Sequence, residues 1–263
     1  MTTLRLFLLL VLTPLFGSSQ FVEEHTIPGD FDSMEFDNLF NTYGIKGAEI
    51  VKFNSEGVQS FQFSDRQTGE IGNLDVTFPL RPLVLYPNLN YVILLDNTLS
   101  NNRGRINLTE KNLSLMTTGC SSVQNHFWFY DAMNFSLVRF NENFKQVATT
   151  GNLAQVLRME LDPNFTIEFA NRVYLNDPKQ GILVFDIFGT YIKTIPLKGL
   201  SEFNVNERGI SYFKSGNIYL YDPISFSEQM IELPVECQEA FIWENRVAAL
   251  CDGSIKVWEV VQP

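Results

Sequence analysis

An apolar strand that ends in an acidic or amide side chain recurs six times along this chain. The copies end at Asn54, Asp96, Asn141, Asp186, Asp222 and Glu259, at successive spacings of 42, 45, 45, 36 and 37 residues. A period of about 40 residues with several strands in each unit is typical of a β-propeller blade. The sequence therefore predicts an all-β fold, a six-bladed β-propeller.

The fourth copy shows the unit most clearly. Asn171–Leu175 alternates between polar and apolar residues and stops at the turn formers Asn176-Asp177-Pro178. The apolar run Gly181–Phe185 follows, and then Tyr191–Leu197 after a turn at Phe188-Gly189. Three such strands cannot bury their own faces in water, so we expect each unit to pack against its neighbours.

The innermost strand of each blade is the least distinct in the sequence. We expect it at Ser33–Phe36, Leu74–Thr77, Leu113–Thr117, Leu200–Val205 and Cys237–Ile242. In the fourth copy Leu153–Leu157 is apolar enough for a strand, whereas Arg158–Thr166 has the composition of a connecting loop or a short helical turn.

The sixth copy is incomplete, because Val260–Pro263 is too short for a fourth strand after Glu259. Phe21–Ile27 has no partner within the first copy. We predict that this segment supplies the outer strand of the last blade, which removes two open sheet edges. The alternative is a flexible N-terminal arm, the usual fate of a chain end.

The segment Met1–Ser19 has the features of a secretory signal. Arg5 precedes the apolar run Leu6–Leu12, and small residues follow at Gly17-Ser18-Ser19. We predict cleavage before Gln20, which leaves residues 20–263 as a single propeller domain; the alternative is an N-terminal membrane anchor. The first cysteine is Cys120, so no lipid anchor is expected, and no later stretch is long enough for a membrane span.

The net charge limits the class of partner, and the cysteines bear on the cellular compartment. The net charge is −11, and an acidic surface repels phosphate backbones, so nucleic acid is not an expected partner. Folding Val235–Glu259 about Glu244-Asn245 places Cys237 nearly opposite Cys251. These two thiols either form a disulfide, which an exported protein can keep, or remain as two buried free thiols.

The residue types that carry familiar chemistry are sparse. The two histidines, His25 and His126, fall in different predicted blades, and no G-x-S-x-G, C-x-x-C or H-E-x-x-H pattern occurs. We therefore predict no catalytic, cofactor-binding or metal-ligating residue. The recurring side chains at strand ends, and the turn residues Asp131, Asp177 and Asp252, are interpreted as acceptors for backbone amides of the adjoining turns.

The fourth copy also resembles a known repeat. Asn171–Leu197 has an N-R-V-Y strand, an Asp-containing turn, a V-F-D strand and a G-x-x-x-x-x-I strand, as in NHL and related six-bladed propellers of the TolB-like type. The aromatic-rich repeats, which together span Met34–Pro263, are also similar to uncharacterised secreted propellers of Bacteroidota. This resemblance implies a fold and says little about activity.

Two groups of residues are candidates for a ligand site. Gluconolactonase-like propellers hold a metal in the channel with Glu, Asn and Asp, for which Asp75, Asn204 and Glu239 are candidates here. Their spacing is not diagnostic, so we interpret them as solvated loop residues. The aromatic runs His126–Tyr130 and Phe241–Trp243 could line a binding face, but alternation in strands favours the core.

Together these features predict an exported, non-enzymatic propeller of the bacterial cell envelope, periplasmic or at the cell surface. Its stiff ring would present loops that bind a protein or glycan partner. The alternative is a metal-assisted hydrolase or lyase with its site at the channel mouth. A third hypothesis, a subunit of a larger envelope assembly, differs from the first only in the permanence of the partner.

Overall fold

A computed structural model describes residues 20–261, which form six four-stranded antiparallel sheets around a central channel. This confirms the predicted six-bladed propeller. The predictions made for Met1–Ser19 lie outside the described residues.

Blades one to three each contain four consecutive strands. Blade one has β2 (Ser33–Phe36), β3 (Thr42–Lys46), β4 (Glu49–Phe53) and β5 (Gln59–Ser64). Blade two has β6 (Asn73–Asp75), β7 (Leu83–Tyr86), β8 (Tyr91–Leu95) and β9 (Asn101–Asn107). Blade three has β10 (Met116–Ser122), β11 (His126–Asp131), β12 (Ser136–Phe140) and β13 (Gln146–Thr149).

Blades four and five follow the same order, and blade six takes its outer strand from the other end of the chain. Blade four has β14 (Phe165–Phe169), β15 (Arg172–Asp177), β16 (Gly181–Asp186) and β17 (Tyr191–Ile195). Blade five has β18 (Asn204–Asn206), β19 (Gly209–Lys214), β20 (Asn217–Asp222) and β21 (Ser227–Glu232). Blade six has β22 (Glu239–Trp243), β23 (Arg246–Cys251), β24 (Ser254–Val261) and β1 (Gln20–Ile27).

The turns divide the ring into two faces. Antiparallel order places the first-to-second and third-to-fourth strand turns of every blade on one side, which we call the lower face. The second-to-third turns and the connections between blades lie on the other side, the upper face. Both ends of the described chain, Gln20 and Val261, pair with each other at the lower face.

The recurring residue at the end of the third strand caps the next turn in blades one to five, as predicted. In blade six the prediction was wrong, because Glu259 lies within β24 and accepts a hydrogen bond from the Asn245 side chain at 2.8 Å. Asp186 Oδ1 accepts hydrogen bonds from the backbone amides of Phe188 and Thr190, at 2.9 and 2.8 Å. Equivalent pairs of amide bonds reach the side chains of Asn54, Asp96 and Asn141. These side chains therefore fix turn geometry, because a short acceptor can satisfy two amides that the sheet leaves unpaired.

The earlier turns follow this rule in part. Asp131 Oδ1 accepts from the amides of Met133 and Asn134, and Asp177 Oδ1 from those of Lys179 and Gln180. Asp252 is exposed, and its carboxylate forms no such bond within residues 20–261. The interpretation of Asp252 as a turn acceptor was therefore wrong.

The apolar core is divided into six clusters, each between two neighbouring blades. In β16, Ile182 and Val184 face blade five, whereas Leu183 and Phe185 face blade three. Strand alternation sends successive side chains to opposite faces, and both faces are covered, so the strand reads as a continuous apolar run.

The N-terminal strand closes the ring, as predicted. β1 pairs with β24 from Gln20 opposite Val261 to Ile27 opposite Ile255. Ile27 is buried in the cluster shared by blades six and one. His25 packs so closely beneath the Gly57 turn of blade one that a methyl group at position 57 would overlap its ring. The alternative of a free N-terminal arm is therefore wrong.

A disulfide joins Cys237 to Cys251, which decides between the two alternatives left by the sequence. Cys237 lies in the connection from blade five, and Cys251 ends β23. The bond ties the entry of the last blade to its second strand. Cys120 is a buried free thiol, and burial raises its pKa well above the usual range.

The inner strand of blade four was not identified from the sequence. It is β14 (Phe165–Phe169), while Leu153–Leu157 forms the short helix α1 in the connection from blade three. Asn152 caps α1 by accepting a hydrogen bond from the Gln155 amide at 2.9 Å. No helix within residues 20–261 is long and apolar enough to cross a membrane.

Deleting Gln20–Ile27 should lower the melting temperature by roughly 10 °C or more, because the deletion empties the Ile27 site and unpairs β24. The measurement is a thermal unfolding curve followed by circular dichroism. Ile27→Ala should reproduce much of the loss, whereas Val22→Ala, on the exposed face of the same strand, should stay within about 2 °C. A truncated protein that melts with the full-length one would contradict closure by β1.

Replacing Cys237 and Cys251 by serine should lower the free energy of unfolding by about 3 kcal/mol, since the bond closes a loop with a sequence separation of 14. Denaturant titration with and without a reductant measures this, and the double variant should not respond to reductant. The denatured, non-reduced protein should titrate as a single thiol, Cys120. Three reactive thiols before reduction would show that the bond is absent.

Candidate ligand site in the central channel

Carboxylates from five of the six blades converge on the channel. Glu35 lies on β2, Asp75 on β6, Glu168 on β14 and Glu239 on β22, while Glu202 lies just before β18. Inner strands surround the channel, so a polar side chain near their ends projects toward the same axis. Residues that are far apart in the sequence therefore form one acidic lining.

The channel contains two cavities with Asn204 in both walls. The lower cavity has a volume of 250 Å³ and includes Glu35, Asp75 and Glu168. The upper cavity has a volume of 290 Å³ and includes Glu202 and Glu239. Within the described part of the chain, no Lys, Arg or His side chain lines either cavity. The channel is therefore a strongly acidic compartment.

Three of the carboxyl groups have raised pKa values. Burial, with the charges of Glu239 and Asp75, raises the pKa of Glu35 well above its usual range. Burial is also the main reason why the pKa of Glu202 is raised. The surface that these half-buried groups retain faces the cavities rather than bulk solvent. Their charged forms are therefore poorly solvated.

Glu202 and Glu239 act as a coupled pair. Their carboxyl groups are neighbours, and the charges of Glu35 and Glu239 add to the effect of burial in raising the pKa of Glu202. Burial raises the pKa of Glu239, while the Met34 amide, which donates to Glu239 Oε2 at 2.9 Å, partly opposes that rise. This amide bond also joins blade six to blade one. The pair thus takes up or releases protons as a unit.

Glu168 is held in a different way. It accepts hydrogen bonds from the Ser122 hydroxyl at 2.5 Å, the Trp128 indole N–H at 2.8 Å and the Val123 amide at 3.1 Å. Arg139 donates to the same Ser122 oxygen at 2.8 Å. Glu168 is therefore fully engaged with blade three, and it shapes the channel wall rather than offering a free carboxylate.

Asp75 and Glu35 differ in the hydrogen bonds that their carboxyl groups accept from the protein. Asp75 Oδ2 accepts from the Ser121 amide at 2.6 Å, and its Oδ1 accepts from the Thr77 amide at 2.9 Å. No donor within residues 20–261 bonds to the Glu35 carboxyl. Of these two carboxyl groups, the protein positions that of Asp75 and leaves that of Glu35 available.

The residues weighed from the sequence lie partly in this site. Asp75, Asn204 and Glu239 are on inner strands and line the cavities, so their interpretation as solvated loop residues was wrong. His25 and His126 lie in blades six and three, as predicted. No group of three or more His, Cys, Asp or Glu side chains among the described residues is arranged to hold a metal ion.

The aromatic runs are core, as favoured, with one exception. Phe127, Trp128, Phe129 and Tyr130 are fully buried between blades. Trp243 is half-buried and, with Phe169, lines both the lower cavity and a 620 Å³ groove between blades five and six. The channel therefore opens through an aromatic mouth onto a groove of the lower face.

Sequence reasoning missed Glu35, Glu168 and Glu202 as channel residues. Glu168 was missed because its strand, β14, was not identified. Glu35 lies in a strand that was identified correctly, and its position near the strand end was the available signal. Glu202 lies in a connection, where no periodic pattern indicates which way a side chain projects.

Comparison with known proteins identifies the fold of this chain but no family. Neither a protein-family model nor a curated protein sequence matches this chain. The solved Neurospora crassa Pan2 WD40 domain is similar, with a TM-score of 0.57, 11% identity, and 89% of this chain and 91% of that chain covered.

Two further solved structures are similar to the same extent. Streptogramin B lyase has a TM-score of 0.55 and 12% identity, with 87% of this chain and 78% of that chain covered. BBS1N, solved in complex with ARL6DN, has a TM-score of 0.53 and 8% identity, with 84% and 75% covered. At such low identities the likeness shows the propeller fold alone.

Proposed function

We propose that this chain is an exported, non-enzymatic propeller that binds a protein or glycan partner in the bacterial cell envelope. Residues 20–263 would be the mature propeller domain, released from a signal segment. The disulfide favours an oxidising compartment, where such bonds persist. The resemblance to NHL and TolB-like repeats, and to secreted propellers of Bacteroidota, agrees with this proposal.

The observation that carries the proposal is a set of apolar side chains on the lower face. Phe188 is 73% exposed in the turn between β16 and β17, and Ile224 and Phe226 are 87% and 74% exposed in the equivalent turn of blade five. These turns belong to adjacent blades and are stiffened by the Asp186 and Asp222 caps. Large apolar groups held rigidly in solvent are typical of protein-binding surfaces.

The channel carboxyls are a second reason to infer a binding role. Glu35, Glu202 and Glu239 repel one another in a poorly solvated space, which lowers the stability of the ring when they ionise. Groups that cost stability without a packing benefit are concentrated at functional sites. We therefore assign ligand contact both to the lower face and to the channel.

The triple substitution Phe188→Ser, Ile224→Ser and Phe226→Ser should abolish partner capture without unfolding the ring. The mature protein is immobilised, exposed to native envelope extract, and the retained proteins and glycans are identified. Met133→Ser with Val156→Ser is the matched control, because both residues are exposed apolar groups on the upper face. Each variant should keep its melting temperature within about 2 °C. Equal capture by the triple variant and the wild type would contradict the proposed surface.

The alternative of a metal-assisted hydrolase or lyase is tested on the same preparation. Elemental analysis of the purified mature protein should find no stoichiometric divalent ion, since no three-ligand arrangement occurs among residues 20–261. A bound divalent ion at one equivalent, lost in Glu35→Gln or Asp75→Asn, would favour the enzyme hypothesis instead.

Glu202→Gln should stabilise the protein at pH 8 by roughly 1 kcal/mol. The pKa of Glu202 is raised in the folded state, so its contribution is fully present below the unfolded pKa and is lost as the pH rises through the folded pKa. The gain should therefore shrink toward pH 4. Denaturant unfolding across this range measures it, and the exposed Glu236→Gln is the control. If the stability of Glu202→Gln relative to the wild type were lower at pH 8 than at pH 4, the proposed repulsion among the channel carboxyl groups would be contradicted.

A further inference from the structure

The lower half of the channel is lined by carboxyl groups without a facing positive group. Glu35, Asp37, Asp75 and Glu168 line it, and no guanidinium group of the described residues does. Arg139 is bonded to Ser122, and the Arg81 guanidinium lies 4.8 Å from the centre of the Phe127 ring. A low-dielectric cleft lined by one sign of charge concentrates ligands of the opposite sign.

The same cavity contains polar groups that the protein leaves unsatisfied. Thr166 lines it, is 3% exposed, and its hydroxyl has no hydrogen-bond partner within residues 20–261. Glu35 is half-buried and lines the same cavity, and no hydrogen bond among the described residues reaches its carboxyl group. Buried polar groups are normally paired, so these two acceptors point to a ligand that carries several N–H donors.

The entrance has the chemistry that suits an organic cation. Trp243 and Phe169 line both the cavity and the groove outside it. Aromatic faces attract ammonium and guanidinium groups, and carboxylates accept their N–H donors. A divalent metal ion fits less well, because the described carboxylates do not converge on one point.

We propose that the lower channel binds an ammonium or guanidinium group, with Glu35 and Asp75 as acceptors and Trp243 at the entrance. The cation is either a free amine or the side chain of a lysine or arginine from a partner that lies in the groove. This inference rests on the proposed binding function and names the chemistry of the ligand.

Binding is coupled to proton release. Burial raises the pKa of Glu35 well above its usual range, and the neighbouring carboxyl groups of Glu239 and Asp75 add to the rise. The Arg81 guanidinium interacts electrostatically with Asp75, and the Arg139 guanidinium interacts with Glu168. Neither guanidinium therefore neutralises Glu35 directly. A bound cation favours the ionised carboxylate, and the proton then leaves to solvent. Affinity should therefore rise with pH.

The test is calorimetric titration of the purified mature protein with 1,4-diaminobutane, arginine methyl ester, and a five-residue peptide with one central arginine. The same peptide with citrulline is the uncharged control. Glu35→Gln should weaken binding of the cation about tenfold, and Thr166→Val should also weaken it. Glu56→Gln, an exposed acidic residue of a lower-face turn, should change it by no more than about twofold. Repeating the titration in buffers of different ionisation enthalpy reports the released proton.

Each outcome decides the inference. Binding of the free amines assigns the channel to a small cation, and binding of the arginine peptide alone assigns it to a partner side chain. Absence of heat with every cation, equal affinity for the citrulline peptide, or unchanged affinity in Glu35→Gln would overturn it. Partner capture that depends on Phe188, Ile224 and Phe226 would survive such a result, so the two proposals fail separately. Circular dichroism confirms that each variant is folded.

Discussion

The packing of each blade against its two neighbours is the interaction on which this structure depends. A four-stranded sheet with apolar residues on both faces has no stable state by itself, and here six clusters cover those faces pairwise. If the sixth blade did not pack against the first, each of these two blades would leave one apolar face exposed to solvent. The contact between blades six and one is therefore a requirement of the whole ring.

Closure is achieved with material from both ends of the chain. Ile27 on β1 packs in the same cluster as Met34 of blade one and Val257 of blade six. Arg246 of blade six pairs with Glu24 of β1 at 3.0 Å, and its guanidinium lies 4.7 Å from the Phe40 ring of blade one. The seam is thus joined by backbone pairing, apolar contact and charge, which makes the ring a stiff platform for its turns.

A closed ring also decides the chemistry of its centre. Radial packing forces the inner strands toward one axis, so side chains near their ends share a small space whatever their distance in sequence. Here that space holds Glu35, Asp75, Glu202 and Glu239, and burial raises the pKa of Glu35, Glu202 and Glu239. An otherwise well-packed ring tolerates this cost to its stability, which is why we propose that the channel contacts a ligand.

Much of the fold was predictable from the sequence, because its signals are local and periodic. The third strands with their terminal Asn or Asp and the pairing of β1 with the last blade follow from alternation and turn residues. Hairpin register placed Cys237 nearly opposite Cys251 but left the disulfide undecided. The inner strand β14 was not predicted, because the pattern of a five-residue segment after a helical turn is too short to identify. Of the acidic channel, only Asp75 and Glu239 were candidates from the sequence, and their spacing did not indicate that they meet. Distance along a chain carries no information on distance across a ring axis, and only the closed tertiary structure brings Glu35 together with Glu202 and Glu239.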